Sequence, residues 1–178
     1  MPSVVITGSP GSGKTTLLTE LATMGYATVQ ESARAIIAER LAIGLSRRPD
    51  PLSFARAILN RDIEKHLGQP QTSNWVFFDR GVIEALGMLQ EVSPVPEHEL
   101  KAMLTAYPFH GSVFILPPWK AIYTNDTERD QTFAEAVNVH VKLVEWYRAC
   151  GYMLHQVPCL PVPERANHVL RLLAERDA

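Results

Sequence analysis

Gly8-Ser9-Pro10-Gly11-Ser12-Gly13-Lys14-Thr15 satisfies the pattern G-x-x-x-x-G-K-[ST] and directly follows the apolar run Val4-Val5-Ile6, the strand-to-helix setting a phosphate-binding loop requires. Glycines let the backbone turn back so that successive N–H groups point inward, and the helix that follows adds its positive N-terminal end. The expected ligand is a nucleotide triphosphate, ATP first and GTP as the alternative, held by residues Gly8 to Thr16. Lys14 would reach the outer phosphates as a point charge, and the Thr15 hydroxyl would join the shell of a Mg2+ ion. The plainer reading of these glycines is a turn between a strand and a helix.

Three further positions carry chemistry. Trp75-Val76-Phe77-Phe78-Asp79 is an apolar run ending in an acid, which puts a carboxylate at the carboxyl end of a strand, where ligands of open parallel sheets gather. Asp79 is expected to bind Mg2+ directly or through water; otherwise it is an exposed acid capping the next helix. Arg80 follows, and its planar fork suits an anionic or hydroxyl-rich acceptor, the alternative being a surface salt bridge. Glu31 ends a second strand run and can take the proton of an attacking hydroxyl, or it simply favours the N-terminus of the helix starting near Ser32. Arg34 on that helix is placed to assist with the acceptor. The stretch from Pro117 to Arg129 mixes prolines, aromatics and charges without periodicity. It reads as a lid over about 117–130 that excludes water and brings Arg129 or Lys120 to the developing charge, or else as a solvated loop. The histidines share no ligand spacing.

The elements that must position these residues follow from periodicity. Short β-branched and aromatic runs at Val4–Thr7, Ala27–Gln30, Trp75–Asp79, Val113–Leu116 and Tyr152–Val157 alternate with longer helical stretches, the pattern of a parallel sheet covered on both faces. The expected fold class is α/β, a three-layer α/β/α sandwich on a five-stranded parallel sheet. Leu17, Leu18 and Leu21 give the first helix an apolar face that ends near Gly25. Asp50-Pro51 reads as an N-cap and first helical residue, with Gly44 to Pro49 a loop before it. Thr132-x-x-Glu135 reads as a capping box opening a long helix that ends near Gly151. Val157 to Pro163 reads as a loop, and Glu164 to Glu175 as a closing helix.

A chain of 178 residues suffices for one domain burying ~70% of its unfolded surface, so a single domain over 1–178 is expected. With 17 basic and 19 acidic residues there is no general attraction to nucleic acid or an anionic membrane. No stretch approaches the roughly 20 apolar residues that span a bilayer, and the first residues lack the basic and apolar regions expected of a signal peptide. A soluble, cytoplasmic protein is expected, monomeric or a homodimer, with Cys150 and Cys159 as reduced thiols.

The combination of the phosphate loop with Gln30-Glu31-Ser32-Ala33-Arg34, Phe78-Asp79-Arg80-Gly81, Pro117-Pro118-Trp119, the Asp126-to-Arg129 spacing and Pro163-Glu164-Arg165 resembles the NadR/Ttd14-type P-loop family, often labelled AAA. The resemblance runs from Val4 to about Leu172. It implies a nucleoside- or nucleotide-kinase-like fold, with Glu31 as the acid after strand two that serves as base, Asp79-Arg80 as the acid-arginine pair after strand three, and Arg129 as a lid arginine. The absence of an Asn-Lys-x-Asp motif takes support from a guanine-specific GTPase. Two functions remain in view: an ATP-dependent, Mg2+-requiring kinase of a small nucleoside-like metabolite, and a nucleotide-dependent ATPase or GTPase switch. A stand-alone ATPase component of a toxin or repair system is a third. The acceptor pocket is expected in the helical region from Ala35 to Leu67.

Overall fold

A computed structural model describes residues 3–46, 49–72, 74–123 and 132–177. Five parallel strands form one sheet in the order β2-β3-β1-β4-β5, with β1 at Ser3–Gly8, β2 at Ala27–Val29, β3 at Val76–Asp79, β4 at Ser112–Leu116 and β5 at Met153–Gln156. Every strand falls inside or within one residue of its expected run. The helices are α1 (Lys14–Thr23), α2 (Ser32–Ala42), α3 (Pro51–Leu67), α4 (Val82–Val92), α5 (Glu97–Ala106), α6 (Phe133–Ala149) and α7 (Val162–Asp177). The chain thus has the three-layer α/β/α fold.

The apolar runs of β1, β3 and β4 are buried along their length because each strand feeds both faces. Val5, Val76, Phe78, Val113 and Ile115 belong to the core under α2, α3, α4 and α6. Their neighbours Val4, Ile6, Phe77, Phe114 and Leu116 point the other way, into the core with Leu17, Leu18 and Leu21 of α1 and Val169 and Leu173 of α7. Alternation with period two, repeated in register across Val5↔Phe78 and Ile6↔Phe114, makes a one-residue slip of any inner strand costly. Central β1 sends α1 to one face while its neighbours β3 and β4 send α4 and α6 to the other. A crevice therefore opens above its carboxyl end.

Helix boundaries follow the expected chemistry. The Asp50 carboxylate accepts from the Ser53 N–H at 2.9 Å with Pro51 at the first position. Thr132 and Glu135 close a reciprocal capping box, the Thr132 N–H donating to Glu135 Oε2 at 2.6 Å. Gly25 turns α1 into β2 with φ 92°. The closing helix starts earlier than expected, at Val162, because Pro163 fits a first turn that needs no N–H donor. Helix α5, between the prolines and β4, has no residue in its sequence that is fully buried, so its amphipathic signal is weak. Cys150 and Cys159 are free thiols. No helix of the described residues is long and apolar enough to cross a membrane.

Gly87 on α4 lets the Trp146 indole of α6 lie against the helix backbone and donate its N–H to the Ile83 carbonyl at 2.7 Å. A Cβ at Gly87 would stand 2.9 Å from Trp146 Nε1. Gly87→Ala is expected to destabilise the protein by about 1–2 kcal/mol, because displacing the hydrogen-bonded ring outweighs the ~1 kcal/mol gained in helix propensity. Thermal unfolding checks this, and an alanine variant as stable as the parent would contradict it.

Candidate active site

The phosphate loop joins β1 to α1 as the sequence requires. Gly8 turns out of the strand with φ 147°, and a Cβ there would meet the Leu116 carbonyl oxygen at 2.6 Å. Gly13 sits in the left-handed region at φ 86° directly before Lys14, where any L side chain is strained and a Cβ would approach Arg165 Nη1 at 2.8 Å. Lys14 is buried and folds back over the loop, donating to the carbonyls of Gly8 at 2.8 Å and Ser9 at 3.3 Å. Burial, reinforced by the Arg80 charge, lowers its pKa to about 8. The buried hydroxyls of Ser9 and Ser12 make no hydrogen bond among the described residues.

Around this loop lies a cavity of about 330 Å³ walled by Gly13, Thr15, Thr16, Glu31, Asp79 and Arg165, among others. Register explains the meeting: Ile6 pairs with Asp79, so the loop leaving β1 and the acid ending β3 reach the same level. Asp79 is buried and its Oδ1 has no hydrogen-bond partner. Burial raises its pKa, with Lys14 opposing. An orphaned buried carboxylate oxygen facing the cavity with the Thr15 hydroxyl fits Mg2+, which takes one or two protein oxygens and fills its octahedron with phosphate and water. No cluster of three or more acidic, histidine or cysteine ligands occurs among the described residues, so a cage built wholly of protein ligands is not what this site offers.

Glu31 stands at the N-cap position of α2 without a side-chain capping bond and lines the same cavity. It pairs with Arg34 at 3.5 Å and with Arg80 Nε at 3.3 Å. Arg80 is the one non-glycine residue with positive φ among those described, at 68°, and its N–H donates to the Ile6 carbonyl at 3.1 Å. That strained backbone, followed by Gly81, aims the guanidinium between Glu31 and Glu84. Burial opposes the Arg80 charge, yet Glu84, Glu31 and Asp79 together hold its pKa above the usual arginine range. Lys14, Glu31, Asp79 and Arg80 are thus brought together. Arg129 lies outside the described residues, and Lys120 is exposed.

The spacing of the motifs does not reveal three other contributors. Arg165 from α7 is buried, donates to the Gly13 carbonyl at 3.4 Å, and stands 5.6 Å from the centre of the Trp119 ring, a cation–π contact. Pro163-Glu164-Arg165 was the signal, but its distance of 152 positions from Gly13 hides the contact. Glu84, one helical turn after Arg80, pairs with it. Tyr147 of α6 donates to Glu84.

A second cavity, about 670 Å³, opens between α4 and α6, lined by Pro10 of the loop, Arg80 and Glu84, with Met88, Leu143 and Trp146 along its walls. Its described lining comes from Pro10, Arg80, α4 and α6, with none from residues 35–67. Helix α3 turns Ala55, Ile58 and Leu59 into the core against α4, which closes that side. Asp62 of α3 is buried and accepts from the Ser32 hydroxyl. Burial raises its pKa to about 6. Because the folded state holds this proton more tightly than the unfolded chain, its contribution to stability is complete below about pH 4 and is lost as pH rises through about 6. Asp62→Asn keeps an acceptor for Ser32 and is expected to stabilise the protein by on the order of 2 kcal/mol at pH 7.5 and by little at pH 4. Denaturant unfolding at the two pH values checks this, and equal effects would contradict it.

A family model described as "AAA domain" matches residues 3–165. No curated protein sequence matches the chain significantly. Among solved structures, deoxyadenosine kinase from M. mycoides with products dCMP and dCDP is similar at 15% identity and TM-score 0.64, covering 97% of this chain and 99% of that one. Thymidylate kinase from Ehrlichia chaffeensis is similar at 15% identity and TM-score 0.60, covering 97% and 100%. At these identities the likeness is one of fold: a P-loop nucleoside- and nucleotide-kinase-like sheet with its helices.

Proposed function

We propose that this chain, which belongs to the AAA-domain family, is an ATP-dependent, Mg2+-requiring phosphotransferase acting on a small hydroxyl-bearing, nucleoside-like acceptor. The observation that carries the reading is the convergence of Lys14, Glu31, Asp79 and Arg80 at one sheet edge, between a phosphate-loop cavity and a second cavity of about 670 Å³, a size suited to a small molecule. The motif set from Gln30-Glu31 to Pro163-Glu164-Arg165 supports a NadR-type placement within the family.

In this reading the loop N–H groups, the N-terminus of α1 and Lys14 hold the triphosphate. Thr15 and Asp79 would hold Mg2+, which when bound neutralises charge on the phosphate oxygens. The acceptor lies in the α4–α6 cavity, its hydroxyl turned toward Glu31. Glu31 takes the hydroxyl proton as the acceptor oxygen bonds the γ-phosphorus and the bond to the β-phosphate oxygen breaks, releasing ADP. Arg80 and Arg34 fix Glu31 and orient the acceptor, since much of the rate in such transfers comes from positioning. Arg165 against Trp119 forms the opposite wall, beside the donor. Arg129, from the resemblance, is the proposed lid arginine.

A thermal-shift screen tests the reading: nucleotides first, then hydroxyl compounds in the presence of a non-hydrolysable ATP analogue with Mg2+. Mass action predicts stabilisation by the nucleotide and a further shift with the true acceptor. Absence of any nucleotide-dependent shift would overturn it.

A further inference from the structure

Arg80 lines the α4–α6 cavity, and its charge is already balanced from two sides. Nη1 is paired with Glu84 Oε1, and Nε lies 3.3 Å from Glu31 Oε1. Glu84 cannot readily make way. It is 4% exposed, and its other oxygen accepts from the Thr7 hydroxyl at 2.6 Å and the Tyr147 hydroxyl at 3.2 Å, tying α4 to β1 and α6 at once. The left-handed backbone of Arg80 is itself pinned to Ile6. The other cation on the cavity wall, Lys142, is bonded to Glu91 at 2.9 Å. The described lining carries two cations against three carboxylates, Glu84, Glu91 and Glu145.

A phosphate monoester brings a charge of about −1.5 to −2 at neutral pH and is normally met by arginine or lysine free to form bidentate or point-charge contacts. In the described lining each cation already has a carboxylate partner, and the buried Glu84 and the partly buried Glu31 both stand beside Arg80. An uncharged ring-bearing alcohol meets no such penalty: its flat faces can lie on Met88, Leu143 and Trp146, with its hydroxyl at the Arg80 end, where Arg80 pairs with Glu31. Resting on the phosphotransferase reading above, we infer that the α4–α6 cavity takes an uncharged hydroxyl-bearing acceptor of the nucleoside class and rejects phosphate monoesters, and that Glu84 sets this choice by engaging Arg80. Both acceptor classes occur on this fold, so the charge balance decides between them.

The test is a titration of adenosine, cytidine, guanosine and thymidine, and of their 5′-monophosphates, against full-length protein saturated with the Mg2+ complex of β,γ-imido-ATP, paired with transfer assays using ATP. The expected result is that wild type binds at least one nucleoside at least tenfold more tightly than its monophosphate. Glu84→Gln, which keeps the shape but removes the charge, is expected to gain at least tenfold in monophosphate affinity. Should that variant not fold, Thr7→Val, which withdraws one anchor of Glu84, is expected to shift the same ratio about threefold. Wild type binding or phosphorylating a monophosphate as well as the nucleoside would overturn the inference while leaving the phosphotransferase reading intact, as would variants whose monophosphate affinity is unchanged. Nucleoside binding without any transfer would count against the phosphotransferase reading while the charge argument stands.

Discussion

Lys14→Ala is expected to weaken Mg-ATP binding by at least tenfold, and wild-type affinity is expected to fall with rising pH above about 8, whereas the variant's does not. The reasons lie in where the ammonium sits. It is buried beneath the loop, bonded to the Gly8 and Ser9 carbonyls, and burial followed by the Arg80 charge lowers its pKa to about 8. Phosphates hold the charged form, so binding above that pH takes up a proton, and affinity should drop by up to about tenfold per pH unit. Alanine removes the charge and the titration together. Calorimetric titration between pH 7 and 9.5 checks both halves; an affinity that is unchanged in the variant, or equally pH-dependent, would contradict the role of Lys14.

Glu31→Gln is expected to lower phosphoryl transfer by about 10²–10⁴-fold, the range for loss of a positioned general base, with Mg-ATP affinity changed by less than about twofold. Glutamine preserves the shape and one acceptor oxygen, which can face either Arg80 or Arg34, since the two pair with different oxygens of Glu31 at 3.3 and 3.5 Å. What it loses is the capacity to take a proton. Had Glu31 served only the N-terminus of α2, the substitution would cost a few tenths of a kcal/mol in stability and leave transfer unchanged. Initial rates and Kd measured on the same preparation separate the two roles.

Local signals were legible in the sequence. The glycine spacing of the loop, the Asp50 and Thr132 caps and the apolar runs of β1, β3 and β4 act within a few residues, or through a periodicity that one strand carries alone. They were enough to bring Lys14, Glu31, Asp79 and Arg80 to one sheet edge in expectation, because strands ending in acids deliver them to the carboxyl end of a parallel sheet. Contacts made between distant elements were not legible. The Thr7–Glu84–Tyr147 cluster joins positions 77 and 63 residues apart, and Glu84 reads in sequence as an ordinary first-turn helix acid. Arg165 reaches Gly13 across 152 positions. Helix α3 uses its apolar face to pack on α4, and an open groove forms where Trp146 crosses Gly87, a meeting of two helices that no local spacing encodes. Edge strand β2 is only half-buried, so its run overstated its length by one residue.

The most direct measurement follows the γ-phosphate itself. Protein in excess over γ-labelled ATP, with Mg2+ and a pool of nucleosides and related alcohols, is quenched within a single turnover and its products separated. The predicted result is label covalently on an acceptor hydroxyl in wild type, reduced by at least 10²-fold in Glu31→Gln. Label recovered solely as inorganic phosphate, at the same rate in both proteins, would contradict phosphoryl transfer and leave a nucleotide-hydrolysing switch in its place.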